Sequence, residues 1–257
     1  MGLRLGEIRP SWAALPVELI TGVIFFAHGL QKFPDPAGFA ERAMGGIPLF
    51  LSYLVIASEL GGGFLLLAGL LVRFSAFSQL CVMAVAVAEV HWATGLTGRG
   101  GFEFPLVLLA TSLALLILGP DPLSIDDKLR PLLYRPGKVA LRREDIDITN
   151  AKVKLAAILL ILAGGALPFI RPHTGVSDGT LPLIIVVAAG LLSVASGAAL
   201  AGGKPWAYLP AFVIARLYLA ASTLLLFWIK FAVRGLVAVV LSLAILAALG
   251  SAQRRTQ

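Results

Sequence analysis

Apolar residues in this chain fall into long runs that stop at short polar breaks. The runs lie near 12–31, 48–72, 74–94, 102–120, 153–170, 181–202, 207–229 and 235–250. A helix needs roughly 20 apolar residues to cross the hydrocarbon of a bilayer, so the pattern predicts about eight transmembrane helices. The last run is short, and Lys230 and Arg234 crowd the break before it. Nowhere does polarity alternate residue by residue, as the strands of a membrane barrel require. Residues 1–10 are polar, and the first run passes into a polar loop without an A-x-A-like site. The first span is therefore expected to act as an uncleaved anchor.

One hydrophilic stretch interrupts the pattern. Residues 121–150 hold the basic residues Lys128, Arg130, Arg135, Lys138, Arg142 and Arg143 and the acidic residues Asp121, Asp126, Asp127, Glu144, Asp145 and Asp147. The expected organisation is a four-helix membrane domain over 1–128, a cytoplasmic connector over 129–150, and an unassigned membrane module of about four helices over 151–257. The two halves share helix number but no motif. Their polar content differs. The first four spans carry Glu18, His28, Glu59, Glu89, His91 and Glu103, whereas the last four carry only Arg216. Chemistry, by this reading, belongs to the first half.

Composition agrees with the pattern. The chain has 257 residues, 58% apolar and 14% charged, with a mean hydropathy of +0.92. Soluble domains sit near 45–50% apolar and about 25% charged, so a soluble enzyme and a disordered chain are both excluded. The formal charge of +7 resembles a nucleic-acid signal until it is mapped. With the N-terminus inside, Arg4, Arg9, Arg73, Lys128, Arg130, Arg135, Lys138, Arg142, Arg143, Lys152, Lys154, Lys204, Arg254 and Arg255 face inward. Only Lys32, Arg42, Arg99, Arg171, Lys230 and Arg234 face outward. That asymmetry predicts a prokaryotic cytoplasmic (inner) membrane protein with both termini cytoplasmic, and it leaves no case for a nucleic-acid partner. The single cysteine, Cys81, excludes an internal disulfide or a CxxC redox pair.

An ionisable side chain inside a span costs roughly 2.5–3.5 kcal/mol on insertion scales, so each one asks for a reason. Glu59 lies mid-span in Ser58-Glu59-Leu60-Gly61-Gly62-Gly63, with Gly62 and Gly63 on its own helix face. Small residues there admit another helix or a flat ligand. His28 ends the first span, and Gln31 and Lys32 follow one turn later on the same face. Span three carries Glu89 and His91 near its end, about 160° apart on a regular helix, followed by Trp92. Glu103 opens span four, where the helix dipole favours an acid. His28, His91 and Glu103 should share the outer half of the membrane, with Glu59 nearer the midplane. A polar chamber among four helices, walled by Trp92, Phe102 and Phe104, would suit a quinone head group and the exchange of its protons.

At these residues the chain resembles the DoxX family of small four-helix membrane proteins. The matching pieces are Ala27-His28-Gly29-Leu30-Gln31-Lys32, Glu59-Leu60-Gly61-Gly62, His91-Trp92 and Gly100-Gly101-Phe102-Glu103-Phe104-Pro105. The resemblance covers residues 12–128. Ala93-Thr94 depart from it, standing where the family pattern would have Pro-Asn or a similar polar pair before Gly95. The resemblance implies quinone-linked membrane oxidoreduction of the thiosulfate:quinone type. Carried over, it makes Glu59, His91 and Glu103 the catalytic candidates. His28, Gln31, Lys32, Trp92 and Phe102 become the quinone contacts, and Lys32 and Arg99 the charges that attract an anionic donor. The expected associates are membrane lipid, quinone and, in a complex, other membrane subunits.

Other readings stay open. The chain could be a non-catalytic subunit that stabilises or docks onto a larger respiratory or photosynthetic complex, through small-residue seams at Gly164-Gly165, Gly190, Ser193 and Gly197. It could transport a small anion, with Arg216 as the binding charge. Bis-histidine haem ligation by His28 and His91 is disfavoured, and no metal site is expected from the ligand spacing. No glycine motif follows a strand, so neither flavin nor NAD is expected to bind this chain.

Overall fold

The computed structural model describes residues 12–134, 150–166, 180–228 and 232–251. Expectations about residues 1–10, about most of the 129–150 connector, and about Arg171, Lys230, Arg254 and Arg255 lie outside the described residues. Among those described, every regular element is helical: α1 (Ala14–Lys32), α2 (Pro36–Arg42), α3 (Leu49–Ala68), α4 (Val72–Thr94), α5 (Glu103–Leu118), α6 (Ile125–Tyr134), α7 (Ala151–Ala166), α8 (Thr180–Ala201), α9 (Tyr208–Trp228) and α10 (Ala232–Gly250).

Helices stand at all eight apolar runs. Four are long and apolar enough to cross a membrane by themselves: α1, α3, α4 and the stretch Pro205–Leu224 that leads into α9. Glu103–Leu118, Val187–Ala201 and Leu236–Gly250 are shorter apolar helices. Large apolar side chains such as Phe64, Phe74, Phe77, Val107, Leu191, Leu192, Val237 and Val240 point outward. Lipid, and not water, is the solvent that suits such a surface. The chain is a polytopic helical membrane protein.

Two compact units divide the chain, Met1–Asp127 and Lys128–Gln257. In the first, Ala14, Leu66, Val72, Ala76 and Leu115 form one apolar layer, and Phe25, Met83 and Leu108 a second. Polar side chains secure the helix ends. Leu71 sits in the left-handed region at φ 50°, a costly place for a branched residue. Asp126 holds it there, since its carboxylate accepts the N–H groups of Leu71 at 2.9 Å and Val72 at 2.8 Å, capping α4. Arg73 donates to the Leu116 carbonyl at 2.7 Å and so caps the far end of α5.

In the second unit, α7 packs closely on α8. A Cβ at Gly164 would meet Gly190 O and Ser193 at 2.6–2.7 Å, and one at Gly197 would meet Ala157 O at 2.7 Å. Four of the expected seam residues, Gly164, Gly190, Ser193 and Gly197, therefore lie between helices of one unit, while Gly165 faces open space. Arg216 is buried within α9.

Candidate functional site

Glu59 sits in a widened turn. Residues Ala57–Gly62 of α3 wind as a π-helix between two α-helical segments. Such a turn displaces one backbone carbonyl from its usual partner, and turns of this kind recur at functional sites. Here the Ser58 carbonyl accepts from Gln79 Nε2 at 2.6 Å, while the Ser58 hydroxyl lies 2.7 Å from that of Ser78. On the opposite side α1 presses directly on the turn. A Cβ at Gly29 would come within 2.5 Å of Leu60 N, so only glycine allows this approach. Glu59 is thereby enclosed, its side chain 3% exposed.

The partner of Glu59 comes from α1. Lys32 Nζ donates to both carboxylate oxygens at 2.5 Å, and the lysine keeps 22% exposure. Taking away either partner of such a buried pair would leave the other without its counter-group, which is costly. The ammonium also stands 5.1 Å from the centre of the Phe39 ring on α2. That helix is pinned over the pair by Ser52, whose hydroxyl donates to Pro36 O at 2.7 Å. It starts cleanly because Asp35 accepts the Gly38 N–H at 2.9 Å and Pro36 opens its first turn.

His28, one turn before Lys32, is half-buried against Phe104, with ring centroids 6.1 Å apart. Gln31 lies exposed beside them. The polar patch expected of His28, Gln31 and Lys32 is thus divided: His28 and Lys32 turn inward and Gln31 turns out.

His91 and Trp92 belong to a second group. The end of α4 unwinds through a π turn at Ala86–His91 and a 3-10 turn at Trp92–Thr94. His91 Nδ1 lies 2.9 Å from Gly100 O, and a carbonyl can only accept, so Nδ1 carries a proton in this contact. Thr94 donates at 2.6 Å to His91 O and is also 2.6 Å from Gly100 O. The residue that departs from the family pattern thus ties the histidine to its loop. Trp92 stacks on Phe102 at 5.3 Å with a 12° angle between rings. Glu89, Arg99 and Glu103 are exposed, and Glu103 enters its helix with its N–H on Leu96 O at 2.9 Å.

The expected residues therefore form two groups at one end of the first unit, one around Lys32–Glu59 and one around His91–Gly100. The segment Phe102-Glu103-Phe104 reaches both, through Phe102 to Trp92 and Phe104 to His28. Ionisable residues alone did not reveal Gln79, Ser58 or Ser78, and the sequence signal for them is a glutamine and paired serines inside apolar runs. At the other end of the unit, buried Glu18 accepts the Asp121 N–H at 3.3 Å. Among the described residues no three His, Cys, Asp or Glu side chains gather closely enough to share a metal ion.

Comparison with known proteins bears on the same region. The family model DoxX matches residues 13–92. A Bacillus subtilis protein named "Putative oxidoreductase CatD" is 34% identical over 113 residues, covering 44% of this chain and 83% of that protein. An uncharacterized Haemophilus influenzae protein is 33% identical over 114 residues, covering 41% of this chain and 76% of its own length. An uncharacterized membrane protein of Mycobacterium tuberculosis is 30% identical over 149 residues, covering 48% of this chain and 91% of its own length. No solved structure matches the chain.

Proposed function

The chain belongs to the DoxX family, and from that premise we propose that its first unit is a quinone-linked membrane oxidoreductase site, centred on the Lys32–Glu59 pair. The observation that carries the reading is the enclosed ion pair itself. It offers an ammonium donor and a proton-exchanging carboxylate side by side, with His28, Phe39 and Phe104 forming a largely apolar wall. Those are the groups that a quinone ring with two carbonyl oxygens requires, so the residues fit the substrate. The oxidoreductase name of the Bacillus subtilis relative supports the same class.

In this reading Lys32 donates a hydrogen bond to a quinone carbonyl, and Glu59 supplies or accepts the proton that accompanies electron transfer. A quinone takes two electrons and two protons on full reduction. The electrons come from a donor of the reduced-sulfur class, thiosulfate being the one implied by the family resemblance. Arg99, exposed on the loop before α5, draws such an anion to this end of the molecule. His91, whose Nδ1 is held by Gly100, has its other ring nitrogen, Nε2, for a second proton exchange. We orient this end outward, with both termini cytoplasmic in a prokaryotic inner membrane, from the distribution of Lys and Arg.

The test is donor-dependent reduction of a short-chain quinone by the full chain in lipid. Glu59→Gln keeps the shape of the side chain and removes its proton exchange. It is expected to lower kcat by about 100-fold or more, within the usual range for a general acid–base group. Unchanged turnover would remove Glu59 from the mechanism.

A further inference from the structure

The two apolar layers of the first unit set the levels of its helices. Along α1 they fall at Ala14 and Phe25, along α4 at Val72 with Ala76 and then at Met83, and along α5 at Leu115 and Leu108. Glu18, Thr21, Gln79 and Ser112 lie between those positions, Ser75 lies within the first apolar level one turn before Gln79, and each is at most 1% exposed. Buried polar groups therefore run from the first apolar level into the space between the two. Within this polar layer Ser75 Oγ, Gln79 Oε1 and Ser112 Oγ are fully buried and have no hydrogen-bond partner in the protein. Buried polar atoms are otherwise almost always paired, with protein or with ordered water. Gly62 brings the α3 backbone against this layer, where a Cβ would sit 2.7 Å from Gln79 Nε2 and 3.9 Å from Ser75 Cβ.

We propose that this layer is a hydration site. Internal water donates to Gln79 Oε1 and bridges it to the hydroxyls of Ser75 and Ser112. Water fits the donor set: an amide oxygen that only accepts, and two hydroxyls that both donate and accept, need a small partner able to do both. The layer has Glu18 at one side. On the other side the committed end of Gln79 holds Ser58, the residue next to Glu59. Gln79 relays no proton, since its Nε2 donates to the Ser58 carbonyl and keeps its hydrogen, so the layer hydrates the flank of the turn that carries Glu59 and leaves the proton count of Glu59 to its own site. Hydration stands apart from the quinone reading.

Solid-state NMR of the isotopically labelled full chain in bilayers tests this through transfer of magnetisation from water. The Gln79 side-chain amide is expected to receive it several-fold faster than the backbone amides of Ala76 and Met83. In the variant Ser75→Ala with Ser112→Ala the transfer falls to the level of those amides. A Gln79 amide as dry as its helix neighbours would overturn the proposal, as would serines bonded back to carbonyls of their own helices. Transfer that persists undiminished without both hydroxyls would overturn the bridge. The wild-type comparison decides the matter alone if the double variant does not fold. A hydrated layer in a chain that binds no quinone would sink the quinone reading and leave this one standing, and a dry layer in a quinone-binding chain would do the reverse.

Discussion

Lys32 and Glu59 are each legible as polar residues in or beside an apolar run, but their partnership is not. They stand 27 residues apart on different helices, and helical spacing alone groups Lys32 with His28 and Gln31. What selects Glu59 is the close approach of α1 at Gly29, which brings the lysine stem across the widened turn. A double-mutant cycle with Lys32→Met and Glu59→Gln measures the pair directly. The coupling energy from unfolding in detergent is expected at about 1–3 kcal/mol, the range of contacting charged residues, and Lys32's partial exposure keeps it from exceeding that. A second residue-scale test contrasts a packed glycine with an open one. Gly29→Leu must push α1 from α3 and is expected to cost about 1–3 kcal/mol. Gly61→Ala, whose Cβ meets nothing within 4 Å, should stay within about 0.5 kcal/mol. Equal losses of Tm in the two variants would refute the close approach.

At the scale of elements, the apolar runs marked the helices well, because spanning length and hydropathy are properties of a segment and not of its neighbours. The π turns were not legible. The turn at Ala57–Gly62 is met by Gln79 of another helix, whose side chain donates to the Ser58 carbonyl, and no local pattern announces that. The end of α4 departs from a regular helix for a similar reason. A regular helix would set Glu89 and His91 on opposite faces, whereas the chain unwinds there and Gly100 takes the histidine. The start of α4 gives a further expectation. Asp126→Ala leaves the Leu71 and Val72 N–H groups uncapped beside a residue at positive φ, and should lower stability by about 1–2 kcal/mol. A chemical-denaturation or Tm shift near zero would show that Asp126 is not needed to hold the Leu71 turn.

For the whole molecule, the first unit holds the Lys32–Glu59 pair, His28, His91 and the buried polar side chains around Gln79. In the second unit Gly164, Gly190, Ser193 and Gly197 pack α7 on α8, and Gly165 faces open space. Orientation is a property of the whole chain and follows from its loops. Single-cysteine labelling should find position 99 accessible to an impermeant reagent from outside and position 204 only from inside, in a Cys81→Ser background. Labelling of both positions from one side would overturn the proposed topology.

The central claim is that the Lys32–Glu59 site takes a quinone, and the quinone content of the purified chain tests it most directly. The full chain is isolated in mild detergent, extracted with solvent, and its quinone measured beside Glu59→Gln and His28→Ala. The account predicts near-stoichiometric quinone in the wild type and at least a 10-fold loss of affinity in the variants, about 1.4 kcal/mol or more. Quinone absent from a folded wild-type chain, or retained undiminished in both variants, would contradict it.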